Sequence, residues 1–116
     1  MHRTLLGAGV ILALYFGPSN ALAQAPDGAA LYRQNCRSCH GLRGVPPQRM
    51  VTIYPALKSL ADSAFLRGRS ADSIAAVLRR GIGRDMKSFA DRLSPDEIAA
   101  VAKFVKTLAS DSTRAP

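Results

Sequence analysis

The chain has 116 residues, with 16 Lys and Arg against 8 Asp and Glu for a formal charge of +8, two cysteines, no Trp and seven Phe plus Tyr. This length holds one small domain and excludes a two-lobed enzyme, and a 47% hydrophobic content excludes a wholly disordered chain. A domain this poor in large aromatic side chains generally needs a staple, a metal or a cofactor.

Met1-His2-Arg3 is a short basic start, Leu5 to Phe16 is an apolar run, Gly17-Pro18-Ser19-Asn20 breaks it, and Ala21-Leu22-Ala23 supplies small residues at a cleavage position. Residues 1–23 therefore read as a secretory signal peptide cut after Ala23. The apolar run is well short of the roughly 20 residues that span a bilayer, so no permanent membrane span is expected. The expected product is an exported, periplasmic domain at 24–110, with a flexible tail at 111–116.

Ala29, Ala30, Leu31, Tyr32 and Cys36 have helical spacing and lead directly into Cys36-Arg37-Ser38-Cys39-His40. Gly41, Gly44, Pro46, Pro47 and Pro55 then predict a long loop from 41 to 55 with almost no regular structure. A short helix is expected within 56–66, broken near Gly68. Ser70 caps the next helix, Ile74, Val77 and Leu78 form its apolar face, and Gly81 ends it. A second irregular stretch from 83 to 92 carries Met86 and Phe89. Ser94-Pro95-Asp96-Glu97 is a capping box with Pro at the first helical position, and Ile98, Val101, Ala102, Val105 and Leu108 follow on one face. Tyr32 and Phe104 are expected to join the first and last helices by aromatic packing. No segment alternates with period two, so the fold class is all-α.

Cys36-x-x-Cys39-His40 is the attachment pattern of a c-type haem: two thiols add to the vinyl groups and the adjacent imidazole ligates the iron. The three groups must come from one turn of chain, which is why the spacing is tight. Three other readings fit less well. A structural zinc site takes about four Cys or His ligands, and the only other histidine is His2. A thioredoxin-like pair follows a strand, which is missing before Cys36, and a plain disulfide leaves His40 unexplained.

Around this motif the chain resembles the small bacterial class I cytochromes c. The likeness runs from Asp27 to Leu108: a Gly-x-x-Leu-Tyr-like helix, Cys-His-Gly, Pro55-Ala56-Leu57, a Met-x-x-Phe from Met86 to Phe89, and Leu93-Ser94-x-x-Glu97-Ile98. From Tyr54 to Leu108 it is most similar to the cytochrome subunits of periplasmic dehydrogenases. The resemblance implies a small fold of three to four helices and long loops around one covalent haem c, carrying single electrons without substrate chemistry. It makes Cys36 and Cys39 the covalent anchors, His40 the proximal ligand and Met86 the distal one. Of the other methionines, Met1 lies in the leader and Met50 in the loop expected on the proximal side. It assigns Tyr54, Pro55, Leu57, Leu78 and Phe89 to the haem pocket, and makes the carbonyl of Pro55, with Pro46 or Pro47 as alternatives, the acceptor for the other ring N–H of His40. The family usually has Pro after the distal Met, where this chain has Lys87.

Loss of the leader leaves 15 basic against 8 acidic groups, a formal +7. The basic residues are scattered without interleaved aromatics, so nucleic acid is not the expected partner. A positive surface favours fast, salt-sensitive encounter with redox proteins whose docking surface is acidic: a dehydrogenase donor, and an oxidase or another cytochrome as acceptor. Arg37, Arg43, Arg84 and Lys87 lie nearest the haem-bearing segments. Two alternatives are an electron-accepting subunit of a dehydrogenase complex and a haem protein that opens its iron to a small ligand or peroxide.

Overall fold

The computed structural model describes Gly17 and residues 24–111. The expected leader, apart from Gly17, and the tail beyond Asp111 lie outside the described residues. Six helices follow in order: α1 (Gly28–Asn35), α2 (Arg37–His40), α3 (Gln48–Ile53), α4 (Ser63–Arg67), α5 (Ala71–Arg80) and α6 (Pro95–Asp111). Among the described residues the only β pairing is an isolated antiparallel bridge between Ile82 and Met86.

α6 is the mast of the fold, with α1 and α5 packed directly against it. Its start is the expected capping box. The Ser94 N–H donates to Glu97 Oε2 at 2.8 Å and the Glu97 N–H donates to Ser94 Oγ at 3.2 Å, so each residue satisfies the other's free donor. All five residues of the expected apolar face, Ile98, Val101, Ala102, Val105 and Leu108, are buried. The helix continues through Ser110 to Asp111, slightly past the expected boundary.

α1 starts where the Asp27 carboxylate accepts the Ala30 N–H at 3.0 Å. It crosses α6 at Gly28, where a Cβ would run into the Ala100 carbonyl. One helical turn on, the rings of Tyr32 and Phe104 meet at 5.2 Å between centroids, tilted by 56°, as the sequence predicts. α5 is capped by Ser70, whose Oγ accepts the Ser73 N–H at 3.0 Å, and it ends at Gly81 with φ 73°. Its most buried residues are Ala75 and Leu78, with Ile74 half-buried beside them. Lys106 of α6 donates to the carbonyls of Leu66 and Arg69 at 2.9 and 2.6 Å, tying the end of α4 to the mast.

One expectation is corrected. The segment 41–55 is not devoid of regular structure, because α3 lies inside it. Pro46 and Pro47 set the helix boundary rather than forbid a helix: Pro47 is the N-cap, and its carbonyl accepts from Met50 and Val51 at 2.8 and 3.3 Å. The short helix expected within 56–66 forms only from Ser63, where Asp62 caps it by accepting the Ala64 and Phe65 N–H groups. It ends at Gly68 as expected.

Candidate functional site

Cys36 closes α1, its N–H donating to the Tyr32 carbonyl at 2.9 Å, and its own carbonyl accepts from Cys39 at 3.3 Å and from His40 at 3.0 Å. The backbone therefore makes one tight turn that carries both thiols and the imidazole. The exit of that turn is held from outside: the Tyr32 hydroxyl donates to the Gly41 carbonyl at 2.7 Å within the core. Both cysteines are free thiols, Cys36 buried and Cys39 half-buried. Burial pushes the Cys36 thiol up to about 11, an effect opposed by the nearby Arg92 guanidinium and aided by Cys39. Burial holds His40 below the ordinary imidazole value.

His40 Nδ1 is buried and has no hydrogen-bond partner, the single such side-chain atom among the described residues. The bond expected from His40 to the Pro55 carbonyl is thus not made. Pro55 is exposed beyond the end of α3, and the alternative at Pro47 is taken up in starting that helix. Nor does the Gly44 carbonyl turn toward His40, since it accepts from Leu60 N–H at 2.8 Å and Ser59 Oγ at 3.2 Å.

Met86 is presented by a closed loop. Ile82 and Met86 exchange backbone hydrogen bonds at 2.7 and 3.2 Å, and Gly81 packs so tightly beneath that a Cβ would sit 2.5 Å from the Met86 carbonyl oxygen and 2.7 Å from the Ser88 nitrogen. The Phe89 N–H donates to the Leu78 carbonyl at 2.8 Å, fixing the far side of the loop to α5. Met86 is half-buried against the cluster that contains Cys36, Leu78 and Phe89. Of the expected pocket residues, Leu78 and Phe89 are in this core, whereas Tyr54 and Leu57 are half-buried outside it.

Sequence reasoning missed two features. Leu42, Val45, Ile53 and Ile82 are each more than half exposed; Leu42 and Val45 follow the Cys-x-x-Cys-His turn in the chain, Ile53 ends α3 and Ile82 opens the Met86 loop. Large apolar residues within Gly- and Pro-rich segments were the available signal. Arg92 was also missed: its guanidinium lies 5.0 Å above the Phe89 ring, a local contact between residues three apart in an irregular stretch.

Residues 23–105 match the family described as cytochrome C oxidase, cbb3-type, subunit III. The chain is 33% identical over 79 residues to cytochrome c6 of Microcystis aeruginosa, which covers 68% of this chain and 90% of that protein. The chain is a member of the cytochrome c family. It is also 36% identical over 97 residues to the chloroplastic cytochrome c6 of Chlamydomonas reinhardtii, covering 79% of this chain and 62% of that protein. With the cbb3-type cytochrome c oxidase subunit FixP of Azorhizobium caulinodans it shares 33% identity over 84 residues, 72% of this chain but 27% of the subunit. The chain thus spans about a quarter of FixP and under two thirds of the algal protein. Among solved structures, the KustC0563 c-type cytochrome superposes with a TM-score of 0.64 at 28% identity, covering 71% of this chain and 96% of that one.

The cofactor of this family is haem c, bound covalently, and the residues present fit it. Two unpaired thiols and an imidazole share one turn, and burial disfavours protonation of that imidazole, whose neutral form is the one that ligates a metal. Among the described residues no group of three or more Cys, His, Asp or Glu is arranged to hold a metal ion. None of the described helices is long and apolar enough to cross a membrane.

Proposed function

We propose that this chain is an exported, periplasmic carrier of single electrons, with the haem held by Cys36 and Cys39 and with His40 and Met86 as axial ligands. The observation that carries the reading is the convergence of the Cys36–His40 turn and the clamped Met86 loop on one core cluster. When bound, haem supplies a one-electron iron couple whose potential depends on axial ligands and surroundings. The protein's part is positional. The turn fixes both thiols and the ring, Tyr32 restrains its exit, and the Ile82–Met86 bridge presents the thioether sulfur. Leu78 and Phe89 supply apolar walls that limit water, while Tyr54, Pro55 and Leu57 are assigned to the pocket by family resemblance. A thioether ligand favours ferrous iron and raises the potential relative to two imidazoles.

Arg37, Arg43, Arg84 and Lys87 are all exposed, which supports docking by redox partners with acidic surfaces. A second reading, a cytochrome subunit of a larger electron-transfer complex, is favoured by the match to the cbb3-type family. The test is a visible spectrum, oxidised and reduced, of the protein matured with haem-attachment machinery, with acid extraction of the haem. Sharp reduced c-type bands, unextractable haem and the weak red sulfur-to-iron band of the ferric form are expected. A high-spin spectrum overturns the Met86 assignment, and absence of covalent haem overturns the carrier. Copurification of a stable partner separates the subunit from the free carrier.

A further inference from the structure

We infer that Arg92 is a positioning residue for the redox centre, a fixed cation that favours the reduced state. The inference rests on the carrier reading above. Arg92 lies between the Met86 loop and α6 in the chain, and its backbone N–H donates to the Phe89 carbonyl at 3.0 Å while its guanidinium lies 5.0 Å above the Phe89 ring. Phe89 is itself fixed, 8% exposed and bonded through its N–H to Leu78. The main-chain bond fixes the turn from Phe89 to Arg92, and the ring seats the cation on a member of the core cluster that also contains Cys36. Phe89 and Cys36 belong to one buried cluster, and Met86 packs against it, so the charge seated on Phe89 acts on the cofactor anchored there.

The effect has a definite sign. One electron arrives from a donor protein, ferric iron becomes ferrous, and the centre's net charge falls by one with no bond made or broken. A nearby positive charge stabilises the less positive state, so Arg92 raises the potential. The guanidinium keeps its proton throughout. Because Arg92 is exposed on its outer side, the effect weakens as salt screens it.

The test is potentiometric titration of the holoprotein, using small mediators rather than a protein partner, at low and high ionic strength. Arg92→Gln should lower the ferrous-to-ferric ratio at fixed applied potential about threefold, roughly 30 mV for a one-electron couple, and the difference should shrink in high salt. Arg92→Lys should restore most of it. Lys103→Gln removes the same unit of charge from the exposed side of α6 and should leave the potential near that of the parent. An Arg92→Gln protein with intact c-type bands and an unchanged potential overturns the inference alone, as does an equal shift from Lys103→Gln. A parent chain without covalent haem overturns both this inference and the carrier reading.

Discussion

Tyr32 and His40 show how single side chains prepare the site. The Tyr32 hydroxyl is buried, its proton held well above the ordinary phenol range by burial and by Cys36, and it donates to the carbonyl of Gly41, next to the candidate ligand. Tyr32→Phe should cost about 1 kcal/mol in urea unfolding, no more, because that carbonyl also accepts the Gly44 N–H at 3.3 Å. A change under a few tenths of a kcal/mol would remove the hydroxyl from the account of the turn. His40 makes a prediction about acid. Its folded value is lowered by burial, so the unfolded chain takes up a proton first. The stabilisation is full above the unfolded value of about 6.5 and is lost as pH falls from there through the folded value. In the haem-free chain lacking its leader, the urea midpoint should drop between pH 7.5 and pH 5.5, and His40→Gln should flatten that drop.

Among the elements, the α5 end and the Met86 loop form one device. Gly81 has φ 73° and no room for a Cβ between the Met86 and Ser88 backbones, so Gly81→Ala must displace the loop. The expected result is a loss of about 1–3 kcal/mol together with loss of the red sulfur-to-iron band in the ferric spectrum. Ser94→Ala is the contrast: it removes the α6 cap, costs about 1 kcal/mol, and leaves the band in place. A Gly81→Ala protein with an intact band would show that the Met86 position does not depend on this clamp. Helices with caps and an apolar period were legible in the sequence, as α5 and α6 illustrate, and so was the Cys36–His40 turn, because its chemistry is local. α3 was not, since prolines read as breakers also start helices. The reading of Met86 as a ligand rests on resemblance, because nothing local marks a thioether as one. The orphaned Nδ1 of His40 depends on how distant segments meet, and no periodicity encodes that; the placement of Arg92 over Phe89 is a contact within one irregular turn, which carries no helical or strand period.

At the scale of the whole molecule, the crossing of α1 and α6 determines whether the site exists at all. α1 delivers Cys36 to the site, and α6 supplies Ile98, Val101 and Val105 to the core behind it. The two helices approach closely because position 28 lacks a side chain: a Cβ there would penetrate the Ala100 carbonyl and lie 3.2 Å from Phe104 Cβ. Backbone cannot yield as a flexible side chain can, so Gly28→Ala must push α1 away and open the Tyr32–Phe104 contact. The overpacking should cost about 1–3 kcal/mol, despite the better helix propensity of Ala. Urea unfolding of the holoprotein checks it, with a lower midpoint and an unchanged slope if the effect is on stability alone. Gly68→Ala is the matched control, because its Cβ would meet no atom within 4 Å and its φ is −87°. That variant should be neutral or slightly stabilised. Equal midpoints for the two variants would mean that the α1–α6 crossing tolerates a wider separation, and that the Cys36 turn is held by its own hydrogen bonds rather than by the mast.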